Sequence, residues 1–253
     1  TEEWNADFAY GVWATGGNLN TAKHQLAGAG TRDAALAFGG ETGGPTDIVA
    51  TTESYNGTAW GEVNDLNTAR RVFAGAGATN TASLAFGGEN GSISEIDNTE
   101  SWNGTNWTEV NDLNTARQNA SAGGADNTSS LAFGGENPSE PATGKTELWN
   151  GSSWTEVNDM NTAKQGSAGS GTQTAALAFG GETPTEAVTA KTESWNGTNW
   201  TNENNMNTAR QALSGSEHGG KTSAAAFGGD NPGGNLAATE EWIGDGTLSE
   251  NID

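Results

Sequence analysis

One phrase recurs along the chain. It reads TESYNGTAWGEVNDLNTAR at 52–70, TESWNGTNWTEVNDLNTAR at 99–117, TELWNGSSWTEVNDMNTAK at 146–164 and TESWNGTNWTNENNMNTAR at 192–210. A second signature keeps step with it, the first glycine of each AFGG run falling at Gly39, Gly87, Gly134, Gly180 and Gly228. The basic residue that closes each NTA phrase stands at Lys23, Arg70, Arg117, Lys164 and Arg210, 46 or 47 residues apart. A period in this range marks solenoids and propellers, whose units are too small to bury their own apolar surface and must cover one another. Five units in phase therefore mean five copies of one supersecondary element.

Within a unit the pattern is that of strands. TESWNGTNWTEV alternates polar and aromatic residues on either side of Asn-Gly, a pair that tolerates the positive φ of a tight hairpin. After NDLNTAR comes a run of small residues, a polar turn, and SLAFGGE or its equivalent, which reads as a second hairpin ended by its glycine pair. No stretch sustains a helical period. Each unit is thus a four-stranded meander, A (small residues), B (LAFGG), C (TESW) and D (NWTEV). Such sheets bury both faces when arranged radially, as in a propeller. Innermost strands crowd the axis, and the A strands are correspondingly small: LAGAG at 26–30, AGAG at 74–77, ASAGG at 120–124. A narrow central channel is expected, not a roomy ligand cavity.

These residues resemble the kelch repeat. A hydrophobic run enters Gly-Gly (LAFGG at 131–135), then comes an aromatic (Trp102, with Tyr55, Trp149, Trp195 and Trp242 as equivalents), a second Trp about five residues on, and a basic residue. The resemblance implies an all-β, five-bladed β-propeller with four-stranded antiparallel blades, and a role as a binding scaffold or adaptor; one kelch-like branch is a copper oxidase. The chain departs from the family in carrying Trp where Tyr is usual, and five units where six or seven are commoner. The expected organisation is a single domain over 1–253, with units near 1–51, 52–98, 99–145, 146–191 and 192–238 and a closing segment at 239–253.

Closure leaves two registers open. TEEW opens the chain at 1–4 and recurs at 239–242, so one terminus must complete a blade begun by the other. Either residues around Trp13 supply the outer strand of the last blade, or GDGTLSE at 244–250 does. Beginning at Thr1 inside a repeat phrase and without Met, the chain is expected to be processed or cut from something longer.

In a meander the A–B and C–D turns share one face, and the B–C and D–A connections share the other. The second face carries the only segments in which the copies disagree, at 42–51, 90–98, 137–145, 183–191 and 231–238, and all five prolines lie there. Binding residues concentrate on loops held by a rigid scaffold, which makes Asp47, Glu95, Asp97, Glu140, Glu186 and Asn235 the candidate binding residues. Trp60, Trp107, Trp154 and Trp200 could stack on sugar rings, but positions that recur with the fold read as packing between blades. Arg70, Arg117, Lys164 and Arg210 read as structural too, paired with a repeated carboxylate such as Glu89, Glu136 or Glu182 or with main-chain carbonyls. Asp65, Asp112 and Asp159 are expected to bond their own turn backbone, since no loop has the dense spacing of a calcium site.

Ten Lys plus Arg against 32 Asp plus Glu give a formal charge of −22, a field that repels phosphate backbones and anionic lipid. Nucleic-acid binding is not expected, and no apolar run is long enough for membrane insertion. With no cysteine and only His24 and His218, the residues for a thiol nucleophile, a serine triad, a zinc site or the copper oxidase arrangement are missing. No metal and no cofactor are expected, and the expected role is non-enzymatic: a structural and binding module at a virion or cell surface, attaching or assembling through its rim loops. A multivalent lectin is the alternative, and a glycan hydrolase using paired carboxylates is the third reading. Near-identical repeats, strong acidity and Gly/Asn/Thr richness are also similar in style to structural proteins of marine bacteriophages. Expected partners are other structural proteins of a larger assembly and surface glycans, and a homo-oligomer is compatible with the sequence.

Overall fold

The computed structural model describes residues 16–44, 46–91, 95–216 and 220–244, and within them the chain is strand, turn and loop. The TEEW phrase at 1–4, Trp13, His218 and all but Gly244 of the alternative closing stretch lie outside these residues. The first blade is a meander of β1 (Ala27–Thr31), β2 (Ala34–Phe38), β3 (Thr52–Tyr55) and β4 (Trp60–Val63). The second holds β5 (Ala74–Thr79), β6 (Ala82–Phe86), β7 (Thr99–Trp102) and β8 (Trp107–Val110). The third holds β9 (Ser121–Asp126), β10 (Ser129–Phe133), β11 (Thr146–Trp149) and β12 (Trp154–Val157). The fourth holds β13 (Ala168–Thr172), β14 (Ala175–Phe179), β15 (Thr192–Trp195) and β16 (Trp200–Asn202). In the fifth, β17 (Ser214–Gly215), β18 (Ser223–Phe227) and β21 (Thr239–Ile243) pair, and the loop between the last two carries a small hairpin of β19 (Asp230–Asn231) and β20 (Gly234–Asn235). All pairs are antiparallel, and the architecture is the five-bladed propeller that the repeats predict.

The A strands line the axis, one equivalent residue each from Gly28, Gly75, Ala122, Gly169 and Gly215 bordering a cavity of about 270 Å³. Small side chains are required there because the neighbouring blade presses in. A Cβ on Gly75 would stand 2.9 Å from Cζ of Phe38, and one on Gly215 would stand 2.8 Å from Cζ of Phe179. A run of main-chain hydrogen bonds also links each blade to the next, from the first to the fifth: Val72 N–H to Gln25 O (3.1 Å), Asn119 to Val72 (2.8 Å), Gly166 to Asn119 (3.0 Å) and Ala212 to Gly166 (2.9 Å). All five residues are left-handed, with φ between 47° and 56°. That conformation turns each amide toward the carbonyl of the preceding blade.

The core lies between blades rather than within them. Phe38 packs on Trp107 with ring centroids 4.9 Å apart, Phe86 on Trp154 at 4.8 Å and Phe133 on Trp200 at 5.0 Å, each pair joining a B strand to the next blade's D strand. The same indoles donate back across the seam, Trp107 Nε1 to Thr52 Oγ1 (3.1 Å), Trp154 to Thr99 (3.0 Å) and Trp200 to Thr146 (3.0 Å). The ring therefore removes a large apolar area from water without stranding its one polar atom. Trp102, Trp149 and Trp195 are buried to 1% exposure or less. Indoles so placed serve packing and are closed to sugars.

The repeated basic residues have a different partner from the one the sequence suggests. Arg70 meets Glu100 of the TESW strand, and its Nη1 donates to Gly87 O (3.2 Å) and Asn98 O (2.7 Å). Glu100 also accepts from Asn67 N (2.7 Å), Asn67 Nδ2 (2.9 Å) and Thr68 N (3.1 Å), so this buried carboxylate is fully satisfied. Glu147, Glu193 and Glu240 repeat the role, receiving the Asn114, Asn161 and Asn207 amides. Glu89 and Glu136 were the wrong choice because the left-handed glycine pairs Gly87–Gly88 and Gly134–Gly135 turn the chain away before them. They meet Arg71 and Gln118 instead, and Glu182 is likewise not a partner of Lys164. The main-chain half of the expectation holds.

One further expectation is corrected, and the reading of the Asn-Gly turns is refined. Asp65 and Asp112 accept from Thr52 N (3.0 Å) and Thr99 N (3.1 Å), thirteen residues upstream, and so pin the D–A connection to the start of the C strand rather than bonding within their own turn. In the Asn-Gly turns only glycine takes a positive φ, 89° at Gly57 and Gly104. The asparagine acts through its side chain, Asn103 Oδ1 accepting from Thr105 N (3.0 Å) and Asn106 N (2.9 Å).

Candidate binding face

The B–C loops share one base. Val49 N donates to Gly40 O, Ile96 to Gly88, Thr143 to Gly135, Thr189 to Gly181 and Leu236 to Gly229, each within 2.8–2.9 Å. Above that base the tips differ. Asp47 closes its own loop, accepting from Gly44 N through Oδ2 (3.2 Å). Asn137 and Glu140 exchange main-chain bonds of 2.9 and 3.0 Å, and Asn137 Oδ1 caps Ser139 N (2.9 Å). Glu186 sits at φ 58° in a turn closed onto Thr183, and Asn235 pairs with Asp230 in the β19–β20 hairpin.

Of the six predicted residues, the structure brings two together. Glu95, from the loop of the second blade, and Glu140, from that of the third, border one open depression of about 510 Å³ with Asn114, Thr115, Asn137, Ser139 and Lys145. Lys145 Nζ donates to Thr115 Oγ1 (3.1 Å) and stands 3.9 Å from Glu156. Glu140 Oε2 is closed to solvent and has no hydrogen-bond partner among the described residues. Asp47, Asp97, Glu186 and Asn235 are exposed and do not line this depression. Asp97 contributes its carbonyl to Leu113 N (3.0 Å).

Nearer the axis on the same face is a feature that the sequence reading treated only as a set of cation partners. The residue after each glycine pair is acidic: Glu41, Glu89, Glu136, Glu182 and Asp230. Arg71 bridges Glu41 and Glu89, and His24 Nε2 lies 3.3 Å from Glu41. Among the described residues the Glu136 carboxylate has only amide donors, Gln118 Nε2 (3.2 Å) and Asn119 Nδ2 (2.8 Å). Partial burial, reinforced by Glu186, Glu136 and Asp230, raises the Glu182 carboxyl above the ordinary carboxylate range. Among the described residues no three acidic or histidine side chains have the geometry to hold a metal ion. Five acidic residues outnumber Arg71 around this ring, and their excess negative charge disfavours anions.

No family model matches the chain, and no curated protein matches it.

Proposed function

We propose that the chain is a non-enzymatic binding and structural module, kelch-like in its repeat, that sits at a virion or cell surface and attaches or assembles through the rim loops of its B–C face. The observation that carries this is the contrast within those loops: five hydrogen-bonded bases alike, five tips unlike. A scaffold so constant positions variable groups precisely, which is the arrangement that recognition uses. The depression between Glu95 and Glu140 is open and shallow, and it joins acceptors from two blades, the Asn137 and Ser139 side chains and one cation, Lys145. Hydroxyl-rich, uncharged glycans suit it, since their donors reach carboxylates that repel anions. No indole lines it, so contact is by hydrogen bonding rather than ring stacking. Other structural proteins of an assembly are the remaining partners.

The test is binding of the full chain to an array of neutral and acidic glycans, compared with the double variant Glu95→Gln, Glu140→Gln. The expected result is binding to neutral glycans that falls tenfold or more in the variant, with an unchanged melting temperature. Equal binding by both proteins, or retention of acidic glycans alone, would remove the reading.

A further inference from the structure

The C–D hairpins of the first four blades turn on Asn-Gly, at Asn56, Asn103, Asn150 and Asn196, and all four asparagines are exposed. In each, Oδ1 accepts two main-chain N–H bonds of 2.8–3.0 Å, from the residues two and three positions on. The glycine that follows holds φ at 89–90°, and among the described residues its N–H donates to no partner. An amide nitrogen without a bond, beside a carboxamide whose oxygen is already held by two donors, is an arrangement suited to intramolecular acyl transfer.

We propose that these four turns are sites of self-modification, at which the asparagine side chain converts to aspartate and isoaspartate through a cyclic imide. The glycine nitrogen gives up its proton to hydroxide and attacks Cγ. Negative charge gathers on Oδ1, where the two N–H donors stabilise it. The Cγ–Nδ2 bond then breaks, and Nδ2 takes a proton from water and leaves as ammonia. One water opens the five-membered imide. Addition at Cγ restores the original main chain with an aspartate, and addition at the main-chain carbonyl leaves the chain running through Cγ, one carbon longer. The sum is one water taken up and one ammonia released, with no change of oxidation state.

Glycine suits the step because no Cβ shields its nitrogen. Two other asparagines supply the contrast. Asn137 and Asn231 cap in the same way, on Ser139 N and Gly233 N, but Pro138 and Pro232 follow them with no N–H to give up.

At three of the turns the longer main chain has a structural consequence. Asn64 Nδ2 donates to Thr105 O (2.9 Å), Asn111 Nδ2 to Ser152 O (2.8 Å) and Asn158 Nδ2 to Thr198 O (3.0 Å), each bond tying one blade to the turn of the next. Isoaspartate at Asn103, Asn150 or Asn196 moves these carbonyls off their donors and loosens the seams on this face. Each conversion also adds one negative charge to a chain already at −22.

The test incubates the folded full chain in mildly alkaline buffer and follows each asparagine by peptide mass, with isoaspartate scored by enzymatic methylation. Conversion at the four turn positions should run at least about tenfold faster than at Asn137 and Asn231, and the melting temperature should fall as isoaspartate accumulates. Serine can cap the same turns, so the variant Asn56→Ser, Asn103→Ser, Asn150→Ser, Asn196→Ser is expected to keep its melting temperature through the same incubation. Turn asparagines that stay intact, or convert no faster than the two before proline, would overturn the sites. An aged wild type that melts with the fresh protein, or a serine variant that loses as much, would overturn the loosening of the seams.

Discussion

Arg70 and Glu100 stand 2.8 Å apart with both side chains wholly shut from solvent, and the pair fastens the connection leaving one blade to the C strand of the next. Burial pulls the guanidinium below its ordinary value, and Glu100 opposes that pull. Such a pair is weak evidence of net stability, but breaking it leaves a naked buried charge.

Arg117→Ala and Glu147→Ala should therefore each destabilise the fold by about 3–5 kcal/mol. The double variant should lose much less than their sum, because the second removal relieves the charge stranded by the first. Urea denaturation of the four proteins gives the cycle; additive losses would mean that the two side chains act independently.

Lys164 stands where three other blades have arginine. It is fully buried, donates among the described residues only to Ala178 O and Lys191 O (both 3.2 Å), and burial pushes its amine down to about 8, against the opposing pull of Glu193. Below pH 8 both folded and unfolded chains carry the proton, and the folded chain bears the cost of a buried charge. Between about 8 and the ordinary 10.5 the unfolded chain binds more protons, so this residue's contribution to stability rises with pH. Lys164→Arg, which can reach Glu193 as Arg117 reaches Glu147, should be more stable than wild type at pH 7, with the gap narrowing toward pH 10. A gap that stays constant or widens would contradict this placement of the charge.

Val72 holds φ 47° in the run of main-chain hydrogen bonds that links the blades, a poor conformation for a β-branched residue. Its equivalent in the fourth blade is Gly166, at 56°. Val72→Gly should stabilise by about 1 kcal/mol, the relief of left-handed strain exceeding the added freedom of the unfolded chain. A loss measured by thermal unfolding would show that the valine side chain matters more than its backbone.

Trp107→Ala should cost about 3–5 kcal/mol, since the indole fills the seam between the first two blades at 5% exposure. Trp60→Ala should cost less, because Trp60 is half-buried and its ring contact is with Tyr55 of its own blade, at 5.1 Å. Equal losses would mean that the seams do not carry the core.

The fold was legible because period, strand alternation and glycine pairs all pointed to one architecture. The ion-pair partner was missed although its signal was present: a Thr-Glu recurs 29 or 30 residues after each of Arg70, Arg117, Lys164 and Arg210, as regularly as the AFGGE acid does. Choosing between two equally periodic carboxylates required knowing where the glycine turns send the chain. The hydrogen-bonded run of Gln25, Val72, Asn119, Gly166 and Ala212 left no trace, because its bonds are main-chain and place little demand on side-chain identity. At the rim, residue type identified Glu95 and Glu140 as candidates, but their meeting depends on loops of two adjacent blades, which no spacing within one repeat encodes.

Excision of one whole repeat, residues 99–145, tests the closed ring most directly, read by the cooperativity of urea unfolding and by the oligomeric state. A ring whose seams hold its core should lose its monomeric, cooperative transition, because four blades of this curvature cannot bring their two end faces together. A linear array would lose only one unit's share of stability and still unfold as a monomer in a single transition. That outcome would contradict the ring.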